Sequence, residues 1–176
     1  MKKLLCLIIT TLLLFPLTMV AKGTLTAKIV LDRDKVYVGD SVVVWVMLYT
    51  SSPIAKAECT TDFSVKGKCN VTKVDIDRNS TVGRMRQGGN TYYTMLWNQY
   101  VVVPQKTGNY TIPTQKFKVF LKQLVSMPDL FEEMMGAVPM YKVEKVEGVS
   151  SPLTFEVKER PLRSTQEMMR SGSGVI

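Results

Sequence analysis

The side chains that could do chemistry are few and poorly matched to one another. The chain has no histidine, which excludes histidine-based catalytic triads and removes the commonest zinc ligand. Glu132 and Glu133 are adjacent in a predicted helix, so their side chains diverge by about 100° and do not form an acid–base pair. Phosphate-binding glycine loops and nucleophile-elbow motifs do not occur. We therefore expect no catalytic residue, no cofactor and no enzymatic activity.

A partial calcium-loop motif is present but incomplete. Asp75, Asp77 and Asn79 match the first half of an EF-hand loop. Ser80 stands where the loop requires glycine, and Arg86 stands where it requires a bidentate glutamate. We expect no metal site here.

The cysteines suggest an oxidising compartment. Cys6 lies in the N-terminal segment, which leaves Cys59 and Cys69 in the body of the chain. An even number of cysteines in an exported protein predicts one disulfide, Cys59 to Cys69, with two reduced thiols as the alternative.

The N-terminus has the layout of a secretory signal peptide. Lys2 and Lys3 precede an apolar run from Leu4 to Phe15, and Ala21-Lys22-Gly23 fits a small-x-small cleavage site. The run is too short to span a bilayer of roughly 30 Å, although an uncleaved anchor is the alternative. We predict a signal peptide over residues 1–23 and an exported protein, periplasmic or associated with the cell envelope, with at most peripheral membrane contact.

The formal charge of +8 is compatible with more than one kind of partner. A basic exported protein could favour anionic lipid heads or acidic glycans, or it could simply have a solvated basic surface. Export and the lack of a basic run with interleaved aromatics argue against nucleic-acid binding.

The chain that follows reads as a series of β-strands. Apolar and polar residues alternate over residues 24–31, and residues 41–50 are nearly all β-branched or aromatic, which predicts a central strand buried on both faces. Gly88-Gly89-Asn90 predicts a hairpin turn before the longest strand candidate, residues 91–103. Further short strands are predicted over residues 62–66, 71–77, 114–122 and 153–157, and residues 100–113 predict a strand–turn–strand corner.

One segment breaks the β pattern. Ser126, Pro128 and Asp129 form a typical helix start, and Gly136 a typical end. The apolar residues that fall at helical spacing between them are Leu130, Phe131, Met134 and Met135. They either form an exposed anchor for a partner or pack on the sheets. A sheet edge that accepts a partner strand is a second candidate site, but the sequence does not identify which strand lies at the edge.

Seven to nine strands and one short helix predict an all-β, immunoglobulin-like antiparallel sandwich with Greek-key connections over residues 24–161. The tail, residues 162–176, has little to bury and is expected to be flexible.

Five segments, in order, resemble motifs of the N-terminal domain of the BatD oxygen-tolerance family. They are Lys35 to Asp40, Asp62 to Val65, Tyr100 to Pro113, Asp129 to Met135 and Ser150 to Val157. The resemblance implies an envelope protein that acts with Bat partners carrying von Willebrand A domains, in aerotolerance or stress, without an established enzymatic activity. Typical members are several times longer, with further β domains and a membrane helix, so we expect a short single-domain relative.

Two functions remain open. The first is a non-catalytic protein–protein interaction module of the bacterial envelope, which should show an apolar patch. The second is a glycan- or surface-binding adhesin-like sandwich, which should show exposed aromatics such as Tyr92, Trp97 or Tyr100 beside polar groups.

Overall fold

A computed structural model describes residues 22–161, and this part of the chain is almost entirely β-structure. The predicted signal peptide and tail lie largely outside the described residues, so their boundaries stay predictions. The strands are β1 (Leu25–Leu31), β2 (Val36–Tyr37), β3 (Val42–Thr50), β4 (Ile54–Cys59), β5 (Cys69–Val74), β6 (Gly83–Gln87), β7 (Asn90–Pro104), β8 (Gly108–Ile112), β9 (Lys116–Ser126), β10 (Met140–Val149) and β11 (Leu153–Lys158). A 3₁₀-helix covers Arg78–Thr81 and one short α-helix, α1, covers Leu130–Met134.

The first layer of the sandwich has the strand order β1-β3-β7-β5, and β6 also pairs with β7. The second layer consists of two three-stranded pieces, β10-β9-β4 and β2-β11-β8. These pieces form one long ribbon, because the β8–β11 register continues into the β9–β10 register across a short break. With the parallel pairing of β2 on β11, this is the strand arrangement of an immunoglobulin-like sandwich, as predicted.

The core lies between the layers and follows the period-two alternation of the strands. On β3, one face is buried and consists of Val42, Val44, Val46 and Leu48. The opposite face of β3, which carries Trp45, is half-buried, so the prediction of burial on both faces is corrected. The core is completed from the second layer by residues such as Phe117, Val119 and Leu121.

The corner between β7 and β8 is built around Tyr110. This side chain is only 2% exposed, and its hydroxyl lies 2.9 Å from the carbonyl oxygen of Lys106, four residues upstream, and 2.8 Å from that of Lys68. A buried tyrosine whose hydroxyl returns to the upstream backbone is the tyrosine corner of immunoglobulin-like domains. The Tyr100 to Pro113 segment therefore has a structural role at this corner.

Two strand predictions need adjustment. Residues 62–66 form no strand, because Phe63 instead stacks on Tyr100 with ring centroids 3.7 Å apart, and only Lys66 makes a bridge, to Thr111. The hairpin at Gly88-Gly89 is confirmed, with φ of 58° and 82° at the two glycines. Strands β4, β6 and β10 were not predicted.

Candidate functional site

The β9–β10 hairpin extends beyond the sandwich. On β9 the last residue paired with β4 is Leu121, opposite Ile54, so the hairpin continues from there as a two-stranded ribbon. We call residues 122–143 the arm. Its tip carries α1, which lies between the two strands as predicted.

The arm is the most apolar exposed surface of the described chain. Of the sixteen strongly exposed large apolar side chains in residues 22–161, eleven lie in the arm, each between 52% and 81% exposed. They are Leu124, Val125, Met127, Leu130, Phe131, Met134, Met135, Val138, Met140, Tyr141 and Val143. Such a concentration is unusual for scattered surface residues and is typical of an interaction surface.

The four predicted site residues lie together at the tip. Leu130, Phe131, Met134 and Met135 are 78%, 72%, 81% and 76% exposed. The alternative that this helix face packs on the sandwich is therefore wrong. Helix α1 does not contribute to the core; it presents these side chains to solvent.

A capping box fixes the start of α1. The backbone N–H of Glu132 donates to Asp129 Oδ1 at 2.8 Å, and the backbone N–H of Asp129 donates to Glu132 Oε2 at 3.0 Å. Asp129 is thus the N-cap, which corrects the assignment of that role to Ser126. The helix ends at Met134 with Met135 as its C-cap, and the next residue, Gly136, has a φ of 89° that suits glycine.

The outer part of the arm differs in charge from the rest of the protein. Lys122 and Lys142 lie at its base, and residues 123–141 between them contain three acids, Asp129, Glu132 and Glu133, and no lysine or arginine, although the chain has 23 basic residues and 15 acidic ones. Two of these acids are held in the capping box, so the carboxylates are fixed beside the apolar side chains. The tip is therefore both apolar and acidic on a basic protein.

The predicted disulfide is not formed, and both cysteines carry free thiols. Cys59 ends β4 in the second layer, where its Sγ lies 3.1 Å from the carbonyl oxygen of Thr61. Cys69 begins β5 in the first layer, opposite Pro104 on β7. The two residues thus belong to strands of different layers. Burial raises the pKa of the Cys69 thiol, which favours its protonated, less reactive form.

The aromatic residues that a glycan site would need are covered. Tyr100 is 9% exposed and stacked on Phe63, and burial raises the pKa of its phenol. Trp97 is half-buried beneath the guanidinium of Arg78, which lies 4.0 Å from the ring centroid. Tyr92 is half-buried as well. Neither Tyr100 nor Trp97 offers an open stacking surface.

The half calcium loop has a structural use. Asp77 is the N-cap of the 3₁₀-helix, and its Oδ1 accepts a hydrogen bond from the backbone N–H of Asn79 at 3.0 Å. Across residues 22–161, histidine, cysteine and acidic side chains do not gather in groups of three that could hold a metal ion. In the same part of the chain, no helix has the length and apolarity needed to cross a bilayer.

The fold and the arm define a class: an immunoglobulin-like β-sandwich that displays an apolar, acidic hairpin at one end. The family model described as the BatD DUF11 like domain matches residues 29–129, which is more than half of the chain. The chain therefore belongs to the BatD family. Comparisons with curated proteins and with solved structures find no match.

The sequence pattern located α1 but missed most of the arm. Strand β10 lies beyond the matched range, and its apolar residues Tyr141 and Val143 alternate with charged ones, which is the usual signal of a strand. Because both faces of the ribbon are exposed at this point, the alternation does not indicate a core-facing side. Only the pairing with β9 reveals these residues as part of the apolar surface.

Proposed function

We propose that the protein is an exported, non-catalytic module of the bacterial cell envelope that acts by protein–protein contact through its arm. The observation that carries the proposal is the exposure of eleven large apolar side chains on this one hairpin. The family resemblance suggests a role in oxygen or stress tolerance, with von Willebrand A-domain proteins as partners.

The energetics of the arm favour a partner that covers it. A two-stranded ribbon in water is at best marginally stable, and both strands of the arm carry exposed apolar side chains. Contact with another protein would remove that surface from water at a gain of about 25 cal/mol per Å². Phe131 is the natural anchor because aromatic side chains dominate binding energy at interfaces, and the neighbouring methionines adapt to an irregular surface.

The charge of the tip favours one kind of partner. Asp129, Glu132 and Glu133 alternate along the chain with the apolar residues of α1, so a complementary surface has an apolar groove bordered by lysine or arginine. The same three carboxylates oppose insertion into an anionic membrane surface, because they are repelled by the lipid phosphates. We therefore assign the arm to a basic-rimmed protein groove rather than to a lipid surface.

Export is supported by the N-terminal sequence and by the family. Lys2 and Lys3 followed by the apolar run from Leu4 form a signal-peptide pattern, and the BatD family is generally envelope-associated. Cell fractionation and N-terminal sequencing of the mature protein test this part: we expect envelope or periplasmic protein that begins near Thr24. Full-length protein in the cytoplasm would contradict it.

Site-specific photo-cross-linking tests the contact. A photoreactive phenylalanine derivative at position 131 should give an adduct with an envelope protein, and the adduct site should map to an apolar groove bordered by basic residues. The same derivative at Val82, which is 48% exposed but outside the arm, is the matched control and should give no such adduct. Equal adducts at both positions, or adducts only with lipid at position 131, would overturn the assignment.

A further inference from the structure

We infer that the opening between β1 and β11 accepts an extended segment of a partner protein as an added β-strand. This opening is a cavity of about 760 Å³, lined by Ile29 to Leu31 on one side and by Leu153 to Glu156 on the other. It is separate from the arm and does not depend on the function proposed for the arm.

Two strand edges face this opening, and neither has a neighbouring strand there in residues 22–161. Within this range, β1 pairs only with β3. Strand β11 pairs with β8 along its length, but on its other side β2 pairs only with Val157 and Lys158. Within the described chain, residues 153–156 therefore have no strand beside them on that side.

The hydrogen-bond alternation identifies which backbone groups point into the opening. The backbone N–H of Asp32 donates to Val43 O at 3.0 Å, and that of Ser51 donates to Thr24 O at 3.2 Å. In an antiparallel pair these bonds occur at every second residue, so the even-numbered residues of β1 face β3 and the N–H and C=O of Ile29 and Leu31 point outward. On β11, Val38 N–H donates to Lys158 O at 3.0 Å, so by the same alternation Thr154 points outward as well.

The floor and rim of the opening suit a strand with one apolar face. Ile29, Val36 and Phe155 are 9%, 2% and 8% exposed, which makes the floor apolar. Among the charged residues of the lining, Arg33 is paired with Asp32 and Lys158 with Glu156, so the rim has no excess of either charge. A partner segment with apolar residues at alternate positions matches this lining, because side chains of a strand alternate between faces. Backbone hydrogen bonds to both edges would supply affinity, as in other cases of strand addition.

A peptide probe tests the inference directly. We would titrate the isotope-labelled protein with the peptide TVTITVTE and follow backbone amide shifts by NMR. The expected shifts fall on residues 29–31 and 153–156. A matched peptide that is N-methylated on alternate residues keeps the side chains but loses the backbone donors along one of its two edges, and it should bind at least about tenfold more weakly. Absence of shifts at these residues, or equal binding of both peptides, would overturn the inference.

Two variants of one residue separate backbone recognition from side-chain contact. Thr154→Pro removes the outward N–H without breaking the pairing with β8, whereas Thr154→Val changes only the side chain. We expect loss of peptide binding in the proline variant and retention in the valine variant, with melting curves confirming that each is folded. Equal effects would contradict the inference, and the methylated-peptide comparison remains decisive if the proline variant unfolds.

The free protein provides a last check on the occupant. We expect a monomer in sedimentation experiments, with rapidly exchanging amides at Ile29, Leu31 and Thr154. A dimer in which these amides are protected would show that a second copy occupies the opening, and it would overturn the assignment to a partner protein.

Discussion

Gln115 and Ser150 hold together the two halves of the second layer. The backbone N–H of Ser150 donates to the carbonyl oxygen of Gln115, and the backbone N–H of Gln115 donates to Ser150 Oγ, both at 2.9 Å. The two residues are 3% and 2% exposed, and they lie between the β8–β11 and β9–β10 pairings. The ribbon that carries the arm thus continues from the sandwich through one buried pair.

Replacing Ser150 by alanine should lower the free energy of unfolding by about 1–3 kcal/mol, because it leaves the buried N–H of Gln115 without an acceptor. Urea unfolding measures this change. Ser151→Ala at the exposed neighbouring position is the control and should have little effect. Equal stability of the two variants would show that the buried bond does not stabilise the ribbon.

The tyrosine corner makes a second prediction. A Cβ on Gly67 would lie 2.3 Å from Cδ1 of Tyr110, and the φ of Gly67 is +142°. Gly108 has a similar φ of +133° with nothing within 4 Å of a built Cβ. Gly67→Ala should therefore destabilise the protein by at least about 1–3 kcal/mol more than Gly108→Ala, in which only the backbone is strained. Similar denaturation midpoints for the two variants would contradict a tightly packed corner.

Arg78 closes a gap in the edge of the first layer, between β5 and β6. Its Nε donates to Trp97 O at 2.8 Å, its Nη2 donates to Asn98 Oδ1 at 3.1 Å, and its guanidinium lies over the Trp97 ring. Lysine cannot reproduce this planar fork, so Arg78→Lys should cost about 1–2 kcal/mol of stability. Arg84→Lys is the matched control, because the exposed Arg84 stacks more loosely on Tyr93 at 5.2 Å. Thermal melting of both variants gives the comparison, and an equal effect would refute a special role for Arg78.

The lowered pKa of Asp32 predicts that the free energy of unfolding depends on pH. The hydrogen bond from Arg33 holds the pKa of the Asp32 carboxyl below its ordinary value. Burial of the carboxyl acts in the opposite direction, and a hydrogen bond from the backbone N–H of Val43 lowers the pKa further. Because the folded-state pKa is lowered, the ionised carboxylate stabilises the fold above the unfolded pKa of about 3.9, and this contribution disappears as the pH falls through the folded value.

Asp32→Asn should therefore reduce stability at about pH 7 and reduce it less at about pH 2, below the unfolded pKa. Chemical denaturation at the two pH values measures the difference, with Asp34→Asn at the exposed position as control. A stability loss of the same size at both pH values would rule out the ion pair as its cause.

Local sequence signals were sufficient to predict the strands of the sandwich, but they were insufficient to predict which surfaces are exposed. The β-branched run of β3, the glycine turn before β7 and the corner at Tyr110 are local patterns that each favour one backbone conformation, and the structure contains all three. The exposure of Phe131 depends on where β4 begins relative to β9, which is a long-range relationship that helical spacing does not encode. The prediction of a disulfide was wrong for a similar reason, because the number of cysteines takes no account of the layer to which each strand belongs.

The affinity of the cross-linked partner for three forms of the protein tests the central claim most directly. If Phe131 anchors the contact, Phe131→Asp should raise Kd by at least about 30-fold. This corresponds to a loss of about 2 kcal/mol of binding free energy, which is typical of a hot-spot residue. Val82→Asp, outside the arm, should change Kd by less than about twofold. A folded Phe131→Asp variant that binds the partner with the wild-type Kd would show that the arm is not the binding surface.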